Sequence, residues 1–275
     1  MTAELAALLA ACGIPDGGVA RWGDDLRLPR ARSGSRLPKA PQSVLVCAFP
    51  YYVGKMPRNL SLYAVLPDYH AVVMGMLEAL AALLRERWAA YAFVPFADAS
   101  PVDEVEAGVR AALGIRGQNG LLLHETWGSF CFLGEIVTDL PLPAAQAYRT
   151  CEGCGACRRA CPTGALGGVF CADRCLSSIT QKKGALTKRE EQLLRSGGLV
   201  WGCDRCQLAC PHNRAVPKTP IAAFAQDVQP YLTAENLDRL MQNRAFAWRG
   251  RAVLERNLAL FDTPIPKEGD DSHAL

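Results

Sequence analysis

A run of closely spaced cysteines is the feature of this 275-residue sequence that most clearly indicates chemistry. The segment CEGCGACRRACP places four cysteines at the spacing C-x2-C-x2-C-x3-C-P, namely Cys151, Cys154, Cys157 and Cys161. This spacing is typical of bacterial ferredoxins with two 4Fe-4S clusters. Gaps of two residues let a tight loop direct three thiolates at one face of a cubane, and the final proline turns the chain away. A zinc site would use four ligands in two pairs, so the spacing favours iron-sulfur clusters.

A second run, GCDRCQLACP, supplies only Cys203, Cys206 and Cys210, because a symmetric run would begin at position 200, which is Val200. Two clusters need eight thiolates, and the segment FCADRCLSSIT between the runs offers Cys171 and Cys175. In two-cluster ferredoxins the fourth cysteine of each run serves the other cluster. One predicted ligand set is therefore Cys151, Cys154, Cys157 and Cys210. The other is Cys161, Cys203 and Cys206 with either Cys171 or Cys175, between which spacing does not choose.

The three remaining cysteines, Cys12, Cys47 and Cys131, stand alone in apolar surroundings and are typical of small buried thiols. The stretch LAALLAAC ending at Cys12 resembles a lipoprotein cleavage box. However, an export signal begins with Lys or Arg, whereas the residues before this stretch include Glu4 and no basic residue. We expect a short helix there, ended by Gly13. A chain without an export signal is expected in the cytoplasm, where thiols stay reduced, so the nine clustered cysteines indicate metal rather than disulfides.

Composition adds broad limits. The formal net charge of +3 is too small to indicate a nucleic-acid partner by itself. Half of the residues are hydrophobic, which fits a soluble globular chain with a sizeable core. No stretch reaches the roughly 18 to 20 uninterrupted apolar residues that a membrane helix needs, so no membrane association is expected.

The first 145 residues alternate between strand and helix patterns. SVLVCAFPYY predicts a buried strand, and DYHAVVMGMLEALAALLRERW has apolar residues at helical spacing. YAFVPFADASPV predicts a strand ending in a polar loop, VDEVEAGVRAALG a helix, and GLLLHETWGSFCFLGEIVTD a hairpin that turns near Gly128. Beyond the cysteines, TAENLDRLMQNRAFAWRGRAVLERN predicts helix with basic exposed positions. The fold class expected is α+β, with an N-terminal α/β sandwich, a ferredoxin-like double-cluster domain and a short helical tail.

Several segments together resemble the epoxyqueuosine reductases, cobalamin and iron-sulfur enzymes that complete queuosine in tRNA. The resemblance spans most of the chain and rests on PDYH, ADASPV, ALGIRGQNGLLL, GSFCFLGEIVTDL, CGACRRACPTGAL, DRCLSSIT and GCDRCQLACPHN. It implies a cobalamin- and substrate-binding domain over residues 1–145, a double 4Fe-4S domain over 146–217 and a helical tail over 218–275. It also implies reduction of epoxyqueuosine to queuosine by cobalamin that receives electrons from two 4Fe-4S clusters.

The same resemblance assigns residues and partners. It makes Cys175 the last ligand of the second cluster and leaves Cys171 spare. It places a set of polar residues near the corrin, namely Asp68, Tyr69, His70, Asp98, Ser177, Ser178 and Asp204. The implied partners are a tRNA anticodon loop carrying epoxyqueuosine, or a smaller fragment of it, and a low-potential electron donor such as flavodoxin or ferredoxin.

Asp98 aligns with the proton donor of the family, in the loop that follows a strand. A carboxylic acid donates a proton at neutral pH only if its pKa is raised, and we expect burial beneath a planar cofactor to raise it. The alternative role of Asp98, from its position alone, is to cap the helix that follows Pro101.

Two alternatives to the reductase remain. Family members usually extend beyond this C-terminus with helical repeats that contact tRNA, and they carry a longer N-terminal stretch, so we expect a short form with little dedicated tRNA-binding surface. An iron-sulfur electron carrier or corrinoid-reactivating protein is therefore one alternative, although the retained Asp98 argues against it. A relative of the reductive dehalogenases is the other. Those enzymes carry a twin-arginine export signal, whereas the Arg158 and Arg159 pair here is internal.

Overall fold

The computed structural model describes residues 2–28, 31–145 and 150–261. Its main sheet has four antiparallel strands in the order β1-β2-β6-β3, formed by β1 (Asp16–Arg21), β2 (Ser43–Pro50), β6 (Cys131–Thr138) and β3 (Phe93–Ala97). A separate two-stranded sheet pairs β4 (Gly114–Arg116) with β5 (Leu122–His124). All eight residues of β2 are buried, as their continuous apolar run predicts for an inner strand.

Helices cover both faces of the main sheet. On one face, α1 (Ala3–Ala11) and α2 (Tyr69–Arg87) pack against Leu45 and Phe49 in a first core. On the other, α3 (Glu104–Arg110) packs against Val44 and Val46 in a second core. The odd and even residues of β2 therefore face different cores, because successive side chains of a strand point to opposite faces. The predicted α+β class with an N-terminal sandwich is confirmed.

The cysteine-rich segment contains short helices: α4 (Ala156–Ala160), α5 (Leu176–Thr180), α6 (Lys188–Gly197) and α7 (Arg205–Leu208). Only α6 has a full capping box, in which the Thr187 side chain accepts from the backbone N–H of Glu190 and the Glu190 side chain accepts from that of Thr187. The other connections are loops and turns, which suits a segment whose thiols must converge.

The C-terminal part is less helical than its sequence pattern predicts. It consists of α8 (Ala222–Ala225), α9 (Leu237–Leu240), a 3-10 turn (Ala245–Arg249) and α10 (Arg251–Leu258). Gly250, with φ +88°, ends the 3-10 turn, so the expected helix is broken there. Phe224, Leu232, Phe246 and other apolar residues of this part lie in the first core with α2, so the tail packs against the N-terminal sandwich.

The hairpin expected around Gly128 is wrong in its pairing. Gly128 does turn the chain with φ +53°, and a Cβ at this position would lie 1.8 Å from Asn213 Oδ1. However, β5 pairs with β4, whereas β6 enters the main sheet between β2 and β3. Five consecutive residues of β6, Gly134–Thr138, are buried, and this burial needs an inner position with a strand on each side. Within the described residues, no helix has the length and apolarity needed to cross a membrane.

Candidate active site and cluster-binding segment

The beginning of α2 gathers an imidazole, a phenol and a carboxylate. Asp68 caps the helix by accepting from the backbone N–H of His70 at 3.0 Å, and the same oxygen lies 2.6 Å from His70 Nδ1. The Tyr69 ring stacks between neighbours, with its centroid 4.0 Å from that of Phe132 and 4.0 Å from that of His70. Capping and stacking together fix the directions of both side chains.

Asp98 reaches this group from the loop after β3. The Tyr69 hydroxyl donates to Asp98 Oδ1 at 3.2 Å, and His70 Nε2 lies 3.2 Å from Asp98 Oδ2. Asp98 has φ +60°, a left-handed conformation that is uncommon outside glycine, although Asp is among the residues that tolerate it. The fold thus joins DYH and ADASPV, two motifs that lie 28 residues apart between His70 and Asp98.

The contacts within this group shift the pKa values of His70 and Asp98 in opposite directions. Hydrogen bonds that the His70 ring donates to Asp68 and then Asp98 raise the pKa of His70 to about 9. The hydrogen bond to His70 in turn lowers the pKa of Asp98, whose side chain is 57% exposed. In this structure the hydrogen bond from the imidazolium outweighs the burial of Asp98, and the expected rise of the Asp98 pKa beneath a planar cofactor stays a prediction. At neutral pH the proton of the pair resides on His70.

Asp98 does not cap α3. That helix is capped by Asp103, whose side chain accepts from the backbone N–H of Glu106 at 2.9 Å. The capping alternative for Asp98 is thus wrong, and its side chain faces Tyr69 and His70 instead.

Asp204, between two cysteines of the second run, is buried and only 2% exposed. Its Oδ2 accepts from Arg58 and from the backbone N–H of Leu62, each at 2.9 Å, while its Oδ1 is buried without a hydrogen-bond partner among the described residues. Burial raises the Asp204 pKa, and Arg58 opposes that shift. Asp204 therefore joins the cysteine segment to residues 58–62.

Tyr63 lies between Asp204 and the group around Asp98. Its ring meets the Tyr69 ring edge-on at 6.4 Å, and its hydroxyl accepts from Trp201 Nε1 at 2.7 Å. Burial, and then the charges of Asp204 and Asp98, raise its pKa. Sequence reasoning missed both Tyr63 and Arg58, since the segment between β2 and α2 has no periodic pattern and no recognisable motif.

The first predicted ligand set comes together. A single cavity is lined by all four of its thiols, those of Cys151, Cys154, Cys157 and Cys210. Gly153 and Gly155, which also line the cavity, have φ +72° and +71°, and these left-handed turns wrap the chain around it. The donor chemistry of four thiols on one cavity suits an iron-sulfur cluster.

The second predicted set is partly brought together. Burial raises the pKa of the Cys206 thiol to about 12, helped by the charges of Cys203 and Cys175. Cys161 accepts hydrogen bonds from the backbone amides of Thr163, Ala165 and Leu166, so its thiolate is stabilised. Hydrogen bonding with Arg174 lowers the pKa of Cys171. Within the described ranges, no three His, Cys, Asp or Glu side chains lie close enough to hold one metal ion, and the ligand assignment stays a prediction.

The two predicted corrin-contacting serines follow Cys175 on α5. Ser178 is exposed, and Ser177 Oγ accepts from Gln181 at 3.4 Å. In the part of the chain that the structure describes, neither serine makes a hydrogen bond with Tyr69, His70 or Asp98. Their role toward a cofactor stays a prediction.

Two segments of the chain match known protein families. Residues 150–213 match the family described as "4Fe-4S double cluster binding domain", and residues 30–99 match "Epoxyqueuosine reductase QueG, DUF1730". An epoxyqueuosine reductase of Burkholderia pseudomallei is 39% identical over 225 residues, which is 73% of this chain and 54% of that protein. The chain is related to the epoxyqueuosine reductase family.

Solved structures of that family share the fold. The epoxyqueuosine reductase of Streptococcus thermophilus superposes with a TM-score of 0.78 at 23% identity, covering 94% of this chain and 79% of that one. An epoxyqueuosine reductase in a crystal with an epoxyqueuosine-modified tRNA-Tyr stem loop gives 0.79 at 24% identity, with the same coverage. The chain spans about half the length of the curated relatives it matches. The segment over residues 150–213 is a double 4Fe-4S cluster-binding domain.

Proposed function

We propose that this chain reduces epoxyqueuosine to queuosine in the anticodon loop of tRNA. The observation that carries the proposal is the position of Tyr63, whose ring contacts that of Tyr69 beside Asp98 and whose hydroxyl accepts from Trp201, two residues before Cys203. A proton-holding group and a cluster-binding loop therefore flank one aromatic side chain. The relatives named above support this reaction over other reductions.

The proposed reaction needs both a proton donor and a source of electrons. Converting the epoxide to an alkene breaks two carbon-oxygen bonds, forms one carbon-carbon double bond, consumes two electrons and two protons, and releases water. Each 4Fe-4S cluster passes electrons singly, so two clusters in one domain suit a two-electron reduction. The electrons come from a low-potential donor of the flavodoxin or ferredoxin class.

Cobalamin is the cofactor that this proposal requires. When bound, it supplies a metal centre that collects the electrons and acts on the substrate. Residues with exposed or half-exposed polar groups suit the amide-rich edge of a corrin: Asp68, Tyr69, His70, Asp98 and Ser178. Ser177 belongs to the same proposed set. Asp204 also belongs to the proposed set, and its Oδ2 accepts from Arg58 and from the backbone N–H of Leu62.

His70 holds the proton for this reaction, and Asp98 transfers it. His70 holds it at neutral pH because its pKa is about 9, and its Nε2 lies 3.2 Å from Asp98 Oδ2. Proton transfer along this contact makes Asp98 the acid that protonates the departing oxygen, while Asp68 holds the other ring nitrogen. General acid catalysis of this kind is worth about 10² to 10⁴ in rate.

The eight thiols of the two sets complete the proposal: Cys151, Cys154, Cys157 and Cys210 for one cluster, and Cys161, Cys175, Cys203 and Cys206 for the other. Reaction on tRNA places the protein in the cytoplasm. A free nucleoside or a short fragment is the smaller substrate that the same site would take.

Anaerobic assays with loaded protein and a chemical reductant test the function. We expect an epoxyqueuosine-containing anticodon stem loop to be converted to the queuosine form, detected by mass spectrometry of the digested nucleosides. Accumulation of epoxyqueuosine in the tRNA of cells that lack this chain is the matching observation in vivo. Loaded protein that accepts electrons but converts neither the stem loop nor the nucleoside would contradict the proposal and favour an electron carrier.

A further inference from the structure

The loop that carries Cys154 lies at the surface of the cluster-binding domain. Glu152, Gly153 and Cys154 are exposed, whereas Cys157 and Cys210 of the same predicted ligand set are buried. A cluster held by this first set therefore lies next to the exposed 152–154 loop.

Three arginines lie around the 152–154 loop. Arg159 donates from Nη1 to the Cys154 carbonyl at 3.0 Å, and Arg158 precedes it on α4. The backbone N–H of Arg214 donates at 3.3 Å to the carbonyl of Pro211, a residue that lines the same cavity as the four thiols. All three arginines are exposed, and none forms a salt bridge with a residue that the structure describes.

Acidic charge is scarce in the same segments. Over residues 150–162 and 210–218 the single acidic residue is Glu152, against four cations, Arg158, Arg159, Arg214 and Lys218. Glu152 is itself engaged, since its Oε2 lies 3.0 Å from His212 Nε2. These two segments therefore present mainly positive side chains to the solvent.

The second run of cysteines contacts the part of the chain that leads to Asp98. Asp204 belongs to this run and accepts from the backbone N–H of Leu62 at 2.9 Å. The next residue, Tyr63, meets the ring of Tyr69 with centroids 6.4 Å apart, and the Tyr69 hydroxyl donates to Asp98. The second ligand set is thus connected to the group that holds the proton.

The two ligand sets are also connected to each other. Helix α4, which carries Cys157, packs against α7, which carries Cys206. The contacts therefore run in one order, from the exposed 152–154 loop to the first set, then to the second set and the Asp98 group. Because electron transfer slows steeply with distance, the first set is the favoured entry point for electrons that arrive from outside.

We propose that Arg158, Arg159 and Arg214 form a docking surface for a small acidic electron-carrier protein, which delivers electrons beside the 152–154 loop. Each encounter oxidises the carrier by one electron and reduces the cluster-binding domain by one. Two encounters supply the two electrons that the proposed reduction consumes. The link to epoxyqueuosine rests on the proposed function, whereas docking and reduction of the domain do not.

Charge favours an acidic protein as the partner. A cluster bound by four thiolates is anionic, so it repels an acidic carrier unless cations lie at the surface between them. Exposed cations speed the association of oppositely charged proteins and fix their relative orientation. Single-stranded RNA also binds cations, but its bases stack on aromatic side chains. Among the described residues that line the cavity of the first set, none is Phe, Tyr or Trp.

Anaerobic stopped-flow reduction of the loaded protein by reduced flavodoxin, an acidic carrier, tests this surface. The test variant combines Arg158→Gln with Arg214→Gln and keeps Arg159 on the Cys154 carbonyl. We expect the second-order rate constant for reduction to fall about tenfold at low salt, and the difference to shrink as the salt concentration rises. Photoreduced deazariboflavin, a small uncharged reductant, should reduce the wild type and the variant equally fast, because it needs no docking surface.

The matched control combines Lys188→Gln with Arg189→Gln. It removes two exposed charges from α6 of the same domain, and its rate with flavodoxin should stay close to that of the wild type. Equal flavodoxin rates in the wild type and the Arg158→Gln/Arg214→Gln variant would overturn the docking surface. Equal losses in the two double variants would also overturn it, because they would reflect overall charge rather than a site.

Binding measurements separate the carrier from RNA. Calorimetry should show weaker binding of oxidised flavodoxin to the Arg158→Gln/Arg214→Gln variant and unchanged affinity for an epoxyqueuosine-containing stem loop. Lost stem-loop affinity with unchanged flavodoxin binding would overturn the inference and assign the arginines to RNA. The reduction assay contains no RNA, so a wild type that converts no epoxyqueuosine contradicts the proposed function, while the flavodoxin rates still decide the docking surface.

Discussion

His70 Nε2 lies 3.2 Å from Asp98 Oδ2. Its other ring nitrogen is 2.6 Å from Asp68 Oδ1, so both nitrogens of this imidazole face carboxylates. Two acceptors make the doubly protonated ring the favoured form, and the pair of His70 and Asp98 carries a proton at the pH of the cell. The proposed reduction uses that proton when the carbon-oxygen bonds break.

The same relationship predicts cobalt without a histidine ligand. A ring with both nitrogens bound to carboxylates offers no free lone pair to a metal. We expect the electron paramagnetic resonance spectrum of cobalt(II) cobalamin bound to this protein to show no nitrogen splitting from the chain. A nitrogen triplet that is lost in His70→Ala would contradict this prediction.

The pKa of His70 predicts the alkaline limit of turnover. Its folded-state pKa is about 9, above its ordinary value of about 6.5. The proton is therefore present below about pH 9 and lost above it, and turnover should fall as the pH rises through about 9. The stabilisation from this shift is complete below about pH 6.5 and disappears as the pH approaches 9. A pH-rate profile compared with that of His70→Gln checks this limit, and an unchanged alkaline limit in the variant would be inconsistent with it.

The cysteine assignment predicts iron content. Eight thiolates in two sets should hold about eight irons per chain after anaerobic purification. Cys175→Ala should lose about half of the iron, because it removes one ligand of the second cluster. Cys171→Ala is the matched control and should keep full iron, since the resemblance assigns Cys175 and not Cys171 to the second cluster. The reverse pattern in these two variants would show that the ligand assignment is wrong.

The ion pair of Arg58 and Asp204 predicts a stability effect. Arg58→Met leaves the buried Asp204 carboxylate without its cation, a change that costs about 3 to 5 kcal/mol when both partners are fully buried. Because Arg58 retains some exposure, we expect a value near the lower end, measured by anaerobic denaturation of the loaded protein. Lys182→Met is the control, because its ammonium forms an exposed surface pair with Glu190. It should change stability by less than about 0.5 kcal/mol.

The predictable parts of this fold are those encoded locally. Cysteine spacing identified the cluster domain, and apolar periodicity identified β2 and α2, because each pattern lies within a short stretch of sequence. The pairing of β6 with β2 and β3 depends on which strand occupies the centre of the sheet. No local pattern in the sequence near Gly128 indicates that position.

The site was predictable only through motifs. Asp98 and His70 were found because DYH and ADASPV are recognisable, but the direction of the Asp98 pKa shift depends on their contact in space. The contact of Arg58 with Asp204 spans 146 residues and leaves no local pattern.

Single-turnover reduction of an epoxyqueuosine-containing anticodon stem loop by Asp98→Asn tests the central claim most directly. Asparagine keeps the size and much of the hydrogen bonding of the side chain but cannot transfer the proton. We expect the variant to hold its clusters and cobalamin, to accept electrons, to melt like the wild type, and to reduce the epoxide about 10² to 10⁴ times more slowly. Undiminished turnover in fully loaded Asp98→Asn would contradict the role of Asp98 as the proton donor.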